Sequence, residues 1–310
     1  GVDVIVDLPN SAVALGVIEL GRKYGKPIIV TTAGSSDITG KSCSPLTLHW
    51  SYNTTALSYV LAKGITVGQG QSWYFLTADY AFGQALERDA SEIVRKSGGN
   101  VVGSTKAPIN TVDFSSFLLQ AQSSKAQVLG LANAGQDSAN AIKGAHEFGL
   151  VKSGMKMAAF LLTLPDVRAL GTAGQDLFLA SAFYWDMNDK TRTFSTELAR
   201  RTGGKYPDMF SAGVYSSLVS YFDAVRRLNM KDGLAVVAQM KSGPFDDPLF
   251  GKSYIRPDGR VIHDMYLFES KASSADKGGW DLYKVRATIP GDEAFGPVIP
   301  GLCPQVAAGK

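Results

Sequence analysis

The sequence predicts an α/β protein built from two doubly wound lobes with a cleft between them. Short apolar runs, such as VDVIVDL at 2–8 and AQVLGLANA at 126–134, alternate with amphipathic stretches along most of the chain. Nearly continuous apolar runs are typical of parallel strands buried on both faces, and strands that alternate with helices imply right-handed crossovers. The length of 310 residues is enough for two domains of ordinary size. The cluster FYWD at 183–186 ends one apolar run and indicates a segment that leaves one core and lines the cleft.

The first half of the chain predicts one strand–helix–strand unit and then a longer series. The run at 2–8 is a strand, Asn10 or Ser11 caps a helix that continues to about Tyr24, and PIIVTT is the next strand. After a loop, further helices are predicted at 54–64, 82–96, 114–124 and 137–148. The strands among them are predicted at 72–78, 100–108, 126–134 and 155–162. Glycines at 98–99 and 149 are suitable helix stops.

The second half begins with a strand at 177–185 and two helices at about 191–202 and 210–228. After Gly243 the pattern of apolar residues changes from helical to alternating. Pro257, Asp258 and Gly259 then separate two alternating runs, which predicts a hairpin. Another strand is predicted at 280–285, and the last 20 residues are rich in proline and glycine and read as an extended tail.

Composition excludes several classes of function. The chain carries 31 basic and 28 acidic side chains, a net charge of +3, which is too balanced to indicate nucleic acid or an anionic membrane as partner. No apolar run reaches the roughly 20 residues that span a bilayer. The two cysteines, Cys43 and Cys303, have no CxxC or histidine cluster near them, so no metal site is expected.

The cysteines leave two alternatives open. They form either one long-range disulfide in an oxidising compartment or two unrelated buried thiols. Both lie in loops, KSCSPL and GLCPQV, and this location favours the bridge.

Seven segments, taken in order, resemble the periplasmic solute-binding proteins of ABC importers, in the branch of the leucine/isoleucine/valine-binding proteins. The segments that carry the resemblance are DLPNSAVALGV, PIIVTTAGSSDITG, LHWSYNTTA, LTADYAFGQALERD, AFYWDMNDKTRTF, AGVYSSLVSYFDAV and DDPLFGKSYIRPDGRVIHDMYLFE. The resemblance covers nearly the whole chain. It implies the type I periplasmic-binding-protein fold, a periplasmic location after removal of a signal peptide, no cofactor, and a membrane permease as partner.

The resemblance also implies the domain organisation. Residues 1–52 and 186–247 form the first lobe, residues 53–185 and 248–290 form the second, and 291–310 form the tail. Three crossovers near 50–53, 183–187 and 246–250 act as the hinge, with Tyr52, Phe183 and Asp186 as its residues. Family members normally have a further strand, helix, strand and helix before the equivalent of Gly1. We therefore expect the native protein to be longer than this chain.

The ligand-binding residues are expected at strand ends and helix starts, where small residues and N–H groups suit an anionic ligand. Helix capping alone is the competing interpretation for the first-lobe set. This set comprises Asn10, Ser11, Thr32, Ala33, Gly34 and Ser35. The aromatic walls are expected from Tyr80, Phe82, Tyr184 and Trp185. The second lobe is expected to add Asn133, Ala134, Gly135, Leu162 and Thr163.

The expected ligand is a small carboxylate. Branched-chain amino acid binders place an acidic residue in the loop equivalent to 161–166, but Asp166 is shifted there and suits a helix cap. An aromatic or apolar acid without an α-amine is therefore favoured, with a branched-chain amino acid as the alternative. Other interpretations are a sensor module of the same fold and a Rossmann-like enzyme. The enzyme lacks support, because no GxSxG, GxGxxG or P-loop is present.

Overall fold

The structure is a computed structural model that describes residues 1–66, 71–272 and 278–304. In chain order its strands are β1 (Ile5–Asp7), β2 (Ile28–Val30), β3 (Thr47–His49), β4 (Ser72–Ala78), β5 (Asn100–Ala107), β6 (Val128–Ala134), β7 (Lys156–Leu161), β8 (Phe178–Ser181), β9 (Phe245–Asp247), β10 (Gly251–Ile255), β11 (Val261–Ile262), β12 (Met265–Ser270) and β13 (Tyr283–Ile289). The α-helices are α1 (Ser11–Tyr24), α2 (Thr54–Ser58), α3 (Gly64–Thr66), α4 (Ala81–Lys96), α5 (Ser115–Ser123), α6 (Gly135–Glu147), α7 (Leu164–Leu170), α8 (Asp189–Arg201), α9 (Met209–Leu228), α10 (Gly233–Met240) and α11 (Gly291–Phe295). Short 3₁₀ turns occupy Ser36–Ile38 and Gly171–Gly174, and a π-helical turn, Tyr59–Lys63, joins α2 to α3.

The larger sheet confirms the predicted α/β class. Its order is β13-β12-β8-β7-β6-β4-β5, in which β4 to β8 run parallel and β12 is antiparallel to both β8 and β13. The five parallel strands thus have the doubly wound order 2-1-3-4-5, so the direction of winding reverses between β4 and β6. Leu129 and Leu131 of the central strand β6 are fully buried, because helices cover both faces of the sheet.

A smaller parallel sheet, β1-β2-β3, forms the core of the other lobe within the described residues. Helix α1 crosses between β1 and β2, and its buried face, including Ala14 and Ile18, packs on Ile28 and Val30. Asn10 caps α1 as predicted, since its Oδ1 accepts the N–H groups of Ala12 and Val13 at 2.9 and 3.1 Å. The expectation that the native chain is longer stays a prediction.

Several predicted elements needed correction. The predicted helix at 54–64 is divided by the π-helical turn, and the strand expected at 177–185 ends at Ser181. The second correction has a physical cause: Ser181 Oγ donates to the Phe183 carbonyl at 2.9 Å, and this local bond replaces the sheet ladder. Strands β3 and β9 and helices α7, α10 and α11 had not been predicted. Residues 305–310 of the predicted tail lie outside the described residues.

The predicted hairpin at Pro257, Asp258 and Gly259 is present between β10 and β11. It lies against the smaller sheet, where Gly259 accepts the His49 N–H at 2.9 Å through its carbonyl. Gly259 has φ +89°, and a Cβ there would stand 2.2 Å from the Thr47 carbonyl oxygen, so both conformation and space require glycine.

Arg260, at the end of this hairpin, connects the hairpin to the first crossover. Its fully buried guanidinium donates to the Tyr52 carbonyl at 2.7 Å and to the Trp50 carbonyl, while Nε donates to Val261 at 2.9 Å. The ring of Phe295 lies 4.4 Å away and covers the cation. One buried side chain therefore holds the carbonyls on both sides of Ser51.

A disulfide holds the C-terminal segment, as far as Cys303, against the lobe of the smaller sheet. Cys43 and Cys303 form a disulfide across 260 positions, and both side chains are buried. Helix α11 packs on α2 and β11. The tail therefore lies against the body of the protein as far as Cys303.

His263 makes the stability of the fold dependent on pH. Burial lowers the pKa of His263 from 6.5 to about 4, and its ring stacks on Phe250 at 4.6 Å. The unfolded chain therefore binds more protons than the folded chain between these values, so stability is present above pH 6.5 and is lost as the pH falls toward 4. Burial also lowers the pKa of His49, in the same direction.

We expect the free energy of unfolding to fall by about 2 kcal/mol between pH 7.5 and pH 5 through His263 alone. Urea unfolding at a series of pH values measures it. The variant His263→Phe is expected to flatten this dependence, and His146→Phe, at a partly buried position of α6, serves as control. An equal slope in all three proteins would refute the assignment.

Candidate functional site

The cleft is formed where the carboxyl ends of the parallel strands of the two sheets face each other. In the larger sheet the crevice lies between β4 and β6, at the point where the winding reverses. The segment after β4 carries Tyr80 and Phe82, and the segment after β6 carries Ala134 and Gly135. The smaller sheet contributes the turns after β1, β2 and β3. Ligands of open α/β sheets bind in such crevices.

The turn after β1 has an unusual backbone. Asp7 and Leu8 both lie in the left-handed region, with φ 85° and 67°, which is uncommon for residues other than glycine. Asp7 Oδ1 accepts the hydroxyl of Thr31 at 2.9 Å and also that of Thr32, while the Leu8 carbonyl accepts the Ala33 N–H at 2.9 Å. These bonds hold the turn after β1 against the turn after β2.

The predicted residues of the second turn lie together. Ser35 donates its N–H to Ser11 Oγ at 3.2 Å, and its own Oγ accepts the Asp37 N–H at 3.3 Å. The Ala33 carbonyl contacts His49 Nε2 at 2.8 Å. Ala33 and Ser35 are thereby fixed from both sides, which positions Gly34 between them at the cleft.

Gly34 lies in close contact with aromatic rings from both lobes. A Cβ on Gly34 would stand 2.4 Å from Cε2 of Tyr52 and 3.0 Å from Cε2 of Phe82. The Tyr52 hydroxyl donates to the Thr32 carbonyl, and the Phe82 ring lies 6.1 Å from that of Tyr80. Burial raises the pKa of Tyr80 to about 12, so its hydroxyl stays protonated and available as a donor.

Phe210 completes this aromatic group and was missed in the sequence. Its ring centroid lies 5.8 Å from that of Tyr52. We name Tyr52, Tyr80, Phe82 and Phe210 the cleft aromatics. Tyr52 and Phe82 pack directly against the buried Gly34, and Phe210 and Tyr80 extend the group behind them.

The larger lobe offers N–H groups at the crevice. Within the described residues no side chain caps α4 or α6, whose N-cap residues are Tyr80 and Ala134. Gly135 begins α6 with φ 58°. Both helices exceed three turns, so their uncapped N-termini carry partial positive charge toward the crevice.

Asn133 ends β6 beside this crevice and is almost fully buried. Its Oδ1 accepts the Ser138 hydroxyl at 2.7 Å, whereas its Nδ2 has no hydrogen-bond partner among the described residues. An unpaired buried donor is rare in proteins and indicates a group that is satisfied by something outside the chain.

Leu162 and Thr163 line a small cavity at the hinge end of the cleft, which we name the hinge cavity. The cavity is lined by Leu162, Thr163, Leu164, Ser181, Phe183, Tyr184, Pro207, Asp208, Met209 and Tyr283. Thr163 caps α7: its Oγ1 and N–H both contact Asp166 Oδ2, at 2.6 and 2.9 Å. Asp166 is therefore engaged in a capping box, as its shifted position had indicated.

The FYWD cluster is divided between two surroundings. Phe183 and Tyr184 line the hinge cavity, and the Tyr184 hydroxyl donates to Asp281 at 3.1 Å. Trp185 instead packs on Tyr206 at 4.5 Å and donates to the Trp280 carbonyl at 2.8 Å, in a group that borders an outer groove. Asp186 pairs with Arg192 at 3.1 Å.

Asp208 and Tyr283 also line the cleft and were not predicted from the sequence. Asp208 caps α9, since its Oδ1 accepts the N–H groups of Phe210 and Ser211 at 3.0 and 2.9 Å. Burial raises the pKa of this carboxyl. A Pro-Asp pair directly before a long helix of the first lobe was the signal that would have found it.

Outside the cleft, Asp89 of α4 connects the lobes. Its Oδ2 accepts the hydroxyls of Ser36 at 2.8 Å, Thr54 at 2.6 Å and Thr55 at 3.3 Å. Its neighbour Arg88 contacts Ser36 Oγ at 2.6 Å and Asp37 at 3.2 Å. Ser36 follows the Gly34 turn, so these bonds hold that turn against α4.

We expect Asp89→Ala to lower the free energy of unfolding by about 1–3 kcal/mol, because three hydroxyl groups lose their acceptor. Urea unfolding measures the loss. The control is Glu92→Ala on the same helix, which removes only an exposed pair with Lys96 and is expected to cost less than about 0.5 kcal/mol. Equal effects of the two substitutions would show that Asp89 is not a structural acceptor.

Comparison with known proteins gives a consistent result. The family profile described as "Periplasmic binding protein" matches residues 1–278. A crystal structure of a periplasmic binding protein from Burkholderia mallei is 44% identical, with a TM-score of 0.94, and the match covers 98% of this chain and 81% of that one. A branched chain amino acid ABC transporter periplasmic ligand-binding protein from Burkholderia xenovorans is 35% identical, with a TM-score of 0.84, over 96% of this chain and 79% of that one. A Leu/Ile/Val-binding protein homolog from Brucella melitensis is 25% identical over 86% of this chain and 68% of its own length. Helices long and apolar enough to cross a membrane are absent from the described residues.

Proposed function

Because this chain belongs to the periplasmic binding protein family of ABC transporters, whose members bind substrates without converting them, we propose that it captures a small aromatic or other apolar carboxylate. The observation that carries the proposal is the surroundings of Gly34. Two uncapped helix N-termini belong to the lobe across the cleft from the Gly34 turn, and two of the cleft aromatics, Tyr52 and Phe82, pack against Gly34 itself. The N–H groups suit a carboxylate, and the rings suit a flat or branched apolar body.

The acidic residues near the hinge cavity favour a ligand that lacks an α-amine. The only carboxylate of the 161–166 loop, Asp166, is engaged by Thr163. Burial raises the pKa of Asp208, which lines the same cavity, so this carboxyl carries its charge less readily than an ordinary aspartate. Neither Asp166 nor Asp208 is therefore as favourable a partner for an ammonium as a free, ionised carboxylate.

The proposed mechanism follows from the division of the ligand-contacting groups between the two lobes. The N-termini of α4 and α6 belong to one lobe, whereas Gly34 and Phe210 belong to the other. A ligand that touches both lobes binds the closed form more tightly and shifts the population toward it. We propose that the closed form then docks on a membrane permease, and that the three crossovers serve as the hinge, the first of them held by Arg260.

The second candidate ligand is a branched-chain amino acid, because the B. xenovorans relative is described as a protein of that transport class. Tryptophan fluorescence separates the candidates. Trp50 and Trp185 are buried near two crossovers, so closure is expected to change their emission. The protein is unfolded, dialysed and refolded to remove copurified ligand, then titrated with benzoate, leucine and acetate. Saturable change with benzoate supports the proposal, and saturation only with leucine overturns the ligand class.

A further inference from the structure

The hinge cavity contains one hydroxyl group that the protein itself does not satisfy. Thr163 donates to Asp166 at 2.6 Å, Ser181 donates to the Phe183 carbonyl at 2.9 Å, and Tyr184 donates to Asp281 at 3.1 Å. The hydroxyl of Tyr283 is buried and has no hydrogen-bond partner among the described residues. The Tyr283 side chain itself is 5% exposed.

Leaving the Tyr283 hydroxyl without a partner costs free energy. A buried hydroxyl without a partner costs about 1–3 kcal/mol relative to a satisfied one. The ring of Tyr283 is held firmly in place, since it lies 5.1 Å from Tyr184 and 5.2 Å from Phe268. The hydroxyl therefore cannot turn to a partner elsewhere without breaking this aromatic packing.

Asp208 supplies the complementary atom in the same cavity. The bonds that cap α9 all use Oδ1, which leaves Oδ2 outside the cap. Asp208 raises the pKa of Tyr283 by its charge, after the larger effects of burial and of Asp166, which places the two groups within electrostatic reach. One donor and one acceptor thus line a cavity that is otherwise apolar or internally satisfied.

The group that satisfies both is a hydroxyl. It accepts from the Tyr283 O–H and donates to Asp208 Oδ2. An ammonium can donate to both oxygens but leaves the Tyr283 O–H without an acceptor, and a methyl group satisfies neither. The cavity begins at the end of β7, next to β6, whose end forms the crevice. Neighbouring strands are about 4.8 Å apart, so the two sites are separated by roughly the length of one substituted ring.

We propose that the cavity between Tyr283 and Asp208 is a specificity subsite for a hydroxyl carried by the ligand at the end remote from its carboxylate. This inference rests on the proposed function and deepens it. It makes the substrate class hydroxylated acids, of which 4-hydroxybenzoate has the simplest matching shape. Tyr283 and Asp208 then set the preference among ligands, while the crevice at Gly34 holds the carboxylate that all of them share.

The test compares three ligands by calorimetric titration: benzoate, 4-methylbenzoate and 4-hydroxybenzoate. The methyl compound matches the hydroxyl compound in size but forms no hydrogen bond. Wild-type protein is expected to bind 4-hydroxybenzoate about 5- to 100-fold more tightly than 4-methylbenzoate, because a site built for a hydroxyl rejects the analogue that lacks it. In Tyr283→Phe this preference is expected to fall several-fold while the affinity for benzoate is retained.

Two further variants complete the design. Asp208→Asn keeps the oxygen that caps α9 but loses the carboxylate, and it is expected to reduce the hydroxyl preference in the same direction. Tyr215→Phe, on the exposed face of α9, is the matched control and is expected to leave all three affinities unchanged. A variant that fails to fold is identified by circular dichroism, and the wild-type ligand series then decides alone.

The outcomes separate the two claims. If none of the three acids binds, the proposed function itself fails. If all three bind equally and Tyr283→Phe changes nothing, the acid class stands and the subsite is refuted. A preference for the methyl compound would likewise overturn it.

Discussion

Replacing Arg260 by methionine is expected to destabilise the protein by about 3–5 kcal/mol, because three buried carbonyls, those of Trp50, Tyr52 and Val261, lose the hydrogen bond from the guanidinium. The Trp50 carbonyl keeps a second contact, with His263 Nε2 at 3.1 Å. Methionine matches much of the volume, so the loss reports hydrogen bonding rather than a cavity. Urea unfolding at neutral pH measures the change. The same variant is expected to weaken ligand binding, since the carbonyls flank Ser51 in the first crossover.

The matched control is Arg226→Met. Arg226 lies on α9 with 77% of its side chain exposed, and its pair with Asp223 is long, at 3.9 Å. It is expected to change the free energy of unfolding by less than about 0.5 kcal/mol. A loss below about 1 kcal/mol for Arg260→Met would show that the guanidinium does not organise the hinge.

Gly34→Ala is expected to reduce ligand affinity about 10- to 100-fold, because overpacking of this kind costs about 1–3 kcal/mol. The added Cβ would stand 2.4 Å from the ring of Tyr52, which is held by its bond to Thr32. The ring must then move, either into the cleft or away from Phe82, and both movements oppose closure. Titration with the tightest ligand of the fluorescence panel measures the loss.

Gly16→Ala provides the comparison for this substitution. Gly16 lies on the exposed face of α1 with no atom within 4 Å of an added Cβ. Alanine there is expected to leave affinity unchanged and to stabilise the helix slightly. If Gly34→Ala binds as tightly as Gly16→Ala, the Gly34 turn does not contact the ligand or govern closure.

The alternation of apolar runs and amphipathic stretches was sufficient to predict the larger sheet. Its parallel strands other than the edge strand β5 are runs of mostly buried residues. Helices α4 and α6 end at glycines that the sequence shows. Strand β3 has only three residues, Thr47–His49, and takes its conformation from pairing with β2, so no local pattern marks it. Helix α10 has only eight residues, Gly233–Met240, and its apolar run LAVVA shows no helical period that distinguishes it from a strand.

The candidate site was predicted unevenly for a related reason. Gly34, Tyr80 and Phe82 follow strands directly, and position after a strand is a property of local sequence. Tyr283 and Asp208 reach the hinge cavity from positions 75 residues apart in the chain, and Tyr52 meets Phe210 from 158 residues away. Trp185 could not be placed from the sequence for a different reason. It is adjacent to Tyr184 in an irregular segment, yet the two side chains lie in different surroundings. Those of Trp185 are determined by its packing on Tyr206 and its hydrogen bond to Trp280.

The most direct test of the central claim is a calorimetric titration of ligand-free protein with leucine and with benzoate-type acids side by side. The arrangement of uncapped helices, cleft aromatics and an engaged Asp166 predicts saturable binding of the acids, with leucine at least about tenfold weaker, a difference of roughly 1.4 kcal/mol. Tight binding of leucine together with no binding of benzoate-type acids would contradict it.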